Sequence, residues 1–253
     1  MKITSLINWK LFGYLLALGL FGVVSIFPFL ISTQGEILKE LPISIPLVLS
    51  LSILQSGLLI SVAIFVGLLL GKKVGLGAPL LEKLSKNKIK KEKLKVPFLL
   101  YVIAGVITGF TIILLDKIFS QFIGVLAFES VPIWQGVLAS FYGGIVEEIL
   151  MRLFLVTFLV WIFSKLFRIK KPNPIILWSS IVIAAIIFGI SHLPATAQLT
   201  TITPLIVFRA ILLNGIGGMV FGWLYWEKGL ESAMIAHYST DIILLVVFPL
   251  LIN

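Results

Sequence analysis

Apolar runs long enough to cross a bilayer occupy most of this chain, at about 9–31, 45–70, 97–115, 133–163, 175–192, 204–226 and 230–251. A helix needs about 20 apolar residues to span a hydrocarbon core of about 30 Å. Within that core every backbone polar group must be satisfied by the protein itself, which leaves helices or closed barrels. Runs of this length predict helices. The expected fold class is therefore an all-α, polytopic transmembrane helix bundle of about seven spans. The fourth run is too long for one simple span, so its first part is expected to be interfacial or tilted. Phe119, Phe122, Ile123 and Leu126 fall on one helical face of segment 119–127, which fits an extra helix lying along the membrane surface.

Composition agrees. The 253 residues are 59% hydrophobic and 12% charged, with a mean hydropathy of +1.15. A soluble domain could not hide that much apolar surface. The absence of cysteine excludes disulfides, a cysteine nucleophile and thiolate metal sites. The net charge of +9 comes mainly from two places: the lysine-rich loop 71–96, and Lys165, Arg168, Lys170 and Lys171 in the loop 164–171. Such clusters beside apolar spans mark topology or contact with anionic lipid. No aromatic-basic groove accompanies them, so no nucleic-acid partner is expected. Both loops fall on one side of a seven-span chain, and the opposite loops 32–44, 116–132 and 193–203 hold few cations. The N-terminus is expected to be cytoplasmic. Lys2 and Lys10 mimic a signal peptide, but no small-x-small cleavage pattern follows, so the first run reads as a retained span. No inverted repeat of the transporter kind is visible.

The ionisable residues of the apolar runs are concentrated late. Of the acids, Glu147, Glu148 and Asp241 lie well inside spans; both histidines, His192 and His237, belong to the late spans, and of the cations Arg152 and Arg209 fall within them. A carboxylate at bilayer depth is costly unless paired or facing water, and reads as functional by default. No domain boundary is visible; residues 1–130 hold helices and a basic cytoplasmic loop, and the polar residues of the spans gather in 131–253.

Helical spacing assigns first roles. Glu148 and Arg152 are i,i+4 and share a face, which reads as a buried ion pair. Glu147 is offset by about 100° and points elsewhere. A second buried carboxylate with no local cation is expensive, so Glu147 is the acid expected to do chemistry. His237 and Asp241 are also i,i+4, where a carboxylate can orient an imidazole. His192 ends a helix before Pro194, with Phe188 one turn earlier on the same face. A carboxylate, two histidines and an orienting acid form a hydrolytic kit. Ser191 and Ser239 sit beside the histidines, but no Gly-x-Ser-x-Gly elbow is present. Gly143, Gly144, Gly218 and Gly222 read as helix-packing positions. Asn214 is expected to bond across helices and Arg209 to snorkel to the interface.

Glu-Glu-x-x-x-Arg (Glu147, Glu148, Arg152), Phe-x-x-x-His (Phe188, His192) and His-x-x-x-Asp (His237, Asp241) follow in that order on successive late spans. Over about residues 133–245 this pattern resembles the CPBP family of intramembrane proteases. That family includes the eukaryotic Ras-converting CAAX endopeptidase and bacterial members associated with bacteriocin immunity or maturation. The resemblance implies an endopeptidase in a prokaryotic plasma membrane, acting on a membrane-associated peptide of possible prenylated CAAX type. By the family pattern Glu147 activates water and His192 assists. His237 and Asp241 bind the scissile carbonyl and its oxyanion, and Glu148, Arg152 and Phe188 support the site. Residue types leave two chemistries open: one zinc ion on Glu147, His192 and His237, or the same residues as base, assistant and oxyanion donor without metal. The partners implied are the lipid bilayer and a peptide substrate; oligomeric state is not legible. Two other classes use the same polar residues: a proton- or ion-coupled transporter and a non-catalytic immunity protein. One count stands against upright helices. Glu147 and His192 lie about 24 Å from the inner span ends and His237 only about 10 Å, so tilts or shifted ends are required.

Overall fold

The computed structural model describes residues 7–86, 97–124 and 131–252. Lys2, Glu92, Leu126 and Glu129 lie outside them, as does the end of the basic loop. The described residues form helices and no strand. In chain order these are α1 (Trp9–Ser25), α2 (Phe27–Lys39), α3 (Ile45–Val74), α4 (Pro79–Ser85), α5 (Phe98–Ile123), α6 (Ile133–Leu166), α7 (Pro174–Ser191), α8 (Leu193–Ala197), α9 (Pro204–Lys228) and α10 (Leu230–Leu251). Among the described residues six helices are long and apolar enough to span, and the pair α1–α2, bent by 43°, brings the number to as many as seven. The protein is an integral membrane helix bundle.

The helix limits have local causes. Pro28 stands in the first turn of α2. It has no N–H to continue the ladder of α1, so the first apolar run breaks at Ile26 rather than crossing as one rod. The fourth run contains no proline and forms one continuous helix instead of a span with a separate interfacial piece. Within α6 the backbone widens to π geometry over Tyr142–Glu147 and Ile149–Val156. Such widening often marks functional positions, and here the first segment ends on Glu147 and the second begins just after Glu148. The expected surface helix at 119–127 is, up to Ile123, the last turn of α5; Gly124, at φ 77, ends it.

Helix α10 packs against α5 and α9 and against the first half of α6; α3 runs along the second half of α6, and α7 pairs with α9. Lipid supplies no hydrophobic drive for this association, so close backbone approach must. A Cβ on Gly218 would meet Ala185 Cβ at 2.7 Å, and one on Gly222 would meet Ile181 Cγ2 at 2.7 Å. The small-xxx-small pair of α9 is therefore a contact surface for α7, as its spacing predicts. Asn214 donates to Ala210 O of its own helix at 2.9 Å instead of crossing to another. Arg209 does not simply snorkel: it bonds Asp116 of α5 at 2.6 Å.

The depth mismatch resolves in the ends of the helices. The hydroxyls of Thr157 (α6) and Tyr225 (α9) lie 2.7 Å apart and fix a common level. Beyond it α6 continues about nine residues, or about 13 Å, while α9 continues about three, or about 5 Å. The turn into α10 therefore sits well short of the end of α6. It is roofed by α4: Leu230 N–H donates to Gly77 O at 2.9 Å, Leu81 N–H donates to Glu231 Oε1 at 2.7 Å, and Leu230 is fully buried. An early residue of α10 can thus meet the middle of α6.

Candidate active site

Helix α6 delivers Glu147, Glu148 and Arg152, α7 delivers Phe188 and His192, and α10 delivers His237 and Asp241. Glu148 Oε1 lies 2.9 Å from Arg152 Nη1, with side chains 0% and 2% exposed. This is the i,i+4 pair read from the sequence, and it is sealed from solvent. The guanidinium is held between two rings, 5.2 Å from the Phe188 centroid and 5.4 Å from that of Phe221. Its Nη2 lies 3.4 Å from Gly218 O. An arginine desolvated this completely requires such company.

His237 is the hub. Its Nδ1 lies 2.7 Å from Glu148 Oε1. A carboxylate paired to arginine accepts, so Nδ1–H donates and the ring orientation is fixed. The orienting acid is therefore Glu148, 89 residues away, and not Asp241 one turn along as the spacing suggested. The other face of the ring, Nε2, turns to Glu147 Oε2 at 3.7 Å and Asp241 Oδ1 at 3.6 Å. Both separations exceed hydrogen-bond length. Neither acid is consumed by the histidine. Phe221 stacks on the same imidazole, with centroids 4.5 Å apart and planes at 22°.

Exposure separates the carboxylates. Glu148 is sealed, whereas Glu147 is 23% and Asp241 17% exposed. Both of these partly exposed acids lie within 4 Å of Nε2 of His237. Gly143 makes this possible: a Cβ there would stand 2.0 Å from Asp241 Oδ2 and 3.2 Å from His237 Nε2. The sequence reading of Gly143 as packing alone was too narrow. It clears space for the site. Gly144 is the packing glycine, backed by Tyr238 Cβ.

His192 joins this group through Phe188. The Phe188 ring meets His192 edge-on at 4.7 Å and His237 at 5.9 Å. His192 Nδ1 lies 2.8 Å from Phe188 O. A carbonyl only accepts, so Nδ1 carries the proton and Nε2 of a neutral ring is left as an acceptor. The neighbouring serines are spent on their own helices: Ser191 Oγ donates to Phe188 O at 2.7 Å and Ser239 Oγ to Ile235 O at 2.8 Å. Among the described residues no group of three or more His, Asp or Glu side chains is arranged to hold one metal ion. The zinc set of Glu147, His192 and His237 does not fit this arrangement. Phe221 is the functional neighbour the sequence did not reveal. Its place among the glycines of α9 gave no sign that it faces a histidine on α10.

Residues 129–243, which hold every one of these groups, match the family described as Rce1-like, type II CAAX prenyl endopeptidase. The match takes in a little under half of the chain and is a similarity to that family. The family indicates a protease. A search of curated proteins found no match, nor did a search of solved structures.

Proposed function

We propose that this Rce1-like chain is an intramembrane endopeptidase in which Glu147 activates the attacking water. The observation that carries the proposal is the division of labour between adjacent glutamates. Glu148 is sealed with Arg152 and His237 Nδ1; Glu147 is partly exposed, has no Lys or Arg ion-pair partner among the described residues and faces Nε2 of His237. Glu147 takes a proton from water as the hydroxide forms its bond to the peptide carbonyl carbon. The acceptor Nε2 of His192 holds or assists that water. The carbonyl oxygen becomes an oxyanion, and His237 in its imidazolium form, its Nδ1–H held by Glu148, donates the Nε2–H to it, with Asp241 beside the same nitrogen. When the tetrahedral adduct collapses, the C–N bond breaks and Glu147 returns its proton to the leaving amine. Residues 131–253 carry this chemistry, and the helices of 1–130 brace it.

A lipid-modified peptide is the proposed substrate class. The family's description names prenyl substrates. An apolar groove of about 470 Å³ runs beside the site, lined by Phe98, Val102, Phe141, Gly144, Ile145 and Tyr238. Gly144 and Tyr238 each adjoin a site residue in sequence, so a hydrocarbon chain in the groove would place its attached peptide near Glu147. The test is the purified protein in liposomes, given matched peptides with and without a C-terminal prenyl group and read by mass spectrometry. Cleavage of the prenylated peptide that disappears in Glu147→Gln supports the reading. Absence of cleavage by the wild type, or equal cleavage by Glu147→Gln, would overturn it.

A further inference from the structure

The second cavity of the molecule lies far from the glutamates, where the ends of α3 and α6 meet. It measures about 430 Å³ and is lined by Lys73, Trp161, Ser164, Lys165, Arg168 and Lys170. We propose that it is a binding site for the phosphodiester headgroup of an anionic phospholipid.

Basic residues at span ends follow from topology alone, and cations in a last helical turn complement its carbonyls. Neither accounts for how these converge. Lys73 of α3 and Lys165 of α6 both lie over one Trp161 ring, at 5.9 and 5.0 Å from its centroid. Among the described residues none of Lys73, Lys165, Arg168 or Lys170 forms an ion pair with an acid. Like charges gathered on two helices without a counter-charge repel, and an anion relieves that repulsion.

Two further observations point to an anion with acceptor oxygens. Ser164 lines the same cavity, is 7% exposed, and its Oγ has no hydrogen-bond partner. A buried hydroxyl left so is a donor awaiting an acceptor. Arg168 stands at φ 55, just past the end of α6. There its N–H donates to Lys165 O at 3.1 Å, and Ile169 N–H donates to Ser164 O at 2.8 Å. Glycine is the usual residue at that left-handed position of a helix-ending turn. Arginine gains nothing from the backbone there, but its guanidinium suits a phosphate.

The surroundings select lipid as the source. Leu166 and Phe167 are 70% and 64% exposed beside the cations, and tryptophan, here Trp161, is a residue type enriched at membrane interfaces. An apolar rim against a cationic pocket matches a headgroup continuous with acyl chains, and does not match a free ion.

The test uses the full chain in detergent, stripped of lipid. It is titrated separately with dioctanoyl phosphatidylglycerol, dioctanoyl phosphatidylcholine and inorganic phosphate, reading tryptophan fluorescence and Tm. Phosphatidylglycerol is expected to bind saturably, about 10-fold tighter than the other two. Lys165→Gln with Arg168→Gln is expected to weaken it about 10-fold. Arg168→Gly removes one cation while suiting the turn, so it should weaken binding with the lipid-free Tm held or raised; it decides the matter if the double variant does not fold. Equal binding of phosphatidylcholine, phosphate binding as tightly as phosphatidylglycerol, or wild-type affinity in Arg168→Gly would overturn the proposal.

Discussion

Gly143→Ala adds one methyl group at the most crowded point of the site. The new Cβ would lie 2.0 Å from Asp241 Oδ2, 3.2 Å from Asp241 Cγ and 3.2 Å from His237 Nε2, where ordinary contact begins at 3.4 Å. The backbone need not move, because the crowded atom is the end of a rotatable carboxylate. That carboxylate must retreat by more than about 1 Å, the scale at which misplacement of a reacting geometry costs about 100-fold. The helix itself gains, since alanine in a helix interior is favoured over glycine by about 0.5–1 kcal/mol. The expected result is kcat for a prenylated peptide down about 100-fold with Tm held or raised. Gly13→Ala is the control, for a Cβ there meets nothing within 4 Å, and it should leave kcat unchanged. Full turnover by Gly143→Ala, or an equal loss in Gly13→Ala, would refute the reasoning from steric clearance.

Arg152→Ala leaves Glu148 buried without its cation and removes the guanidinium from between Phe188 and Phe221; a loss of about 3–5 kcal/mol is expected, read as a fall in Tm by scanning calorimetry. Phe221→Leu removes the ring stacked on His237 while keeping an apolar side chain; kcat should fall about 10-fold and stability by about 1 kcal/mol, measured by peptide turnover and thermal unfolding. Ser191→Ala and Ser239→Ala remove only hydroxyls bonded to their own helices, so both variants should cleave within about 3-fold of wild type in the same assay, a change of under 1 kcal/mol; loss of turnover in either would restore a serine nucleophile.

The spans, the late position of the polar residues and the Glu148–Arg152 pair were legible because each is a local pattern. Run length sets a helix, and i,i+4 spacing sets a shared face. What escaped depends on contacts between distant segments. Nothing in the spacing of His237 could show that its Nδ1 partner lies 89 residues earlier, or that Arg209 would find Asp116. The assumption of regular α geometry also failed locally, since one π segment includes Glu147 and another follows Glu148. The conflict over depth came from treating span ends as coplanar. The α4 roof and the short overhang of α9 remove it, and neither has a signature in hydropathy. Asp241 does stand near His237, but at 3.6 Å from Nε2, while the close partner of the ring is Glu148 at Nδ1.

The central claim is that the accessible acid does the chemistry and the sealed acid holds the fold. Its most direct test measures kcat and Tm together for purified Glu147→Gln in liposomes with a prenylated peptide. The account predicts kcat down about 1000-fold, the range for loss of a general base, with Tm within about 2 °C of wild type, a change of under 1 kcal/mol. Turnover retained in Glu147→Gln, or a collapse of Tm that makes Glu147 a structural acid, would contradict it.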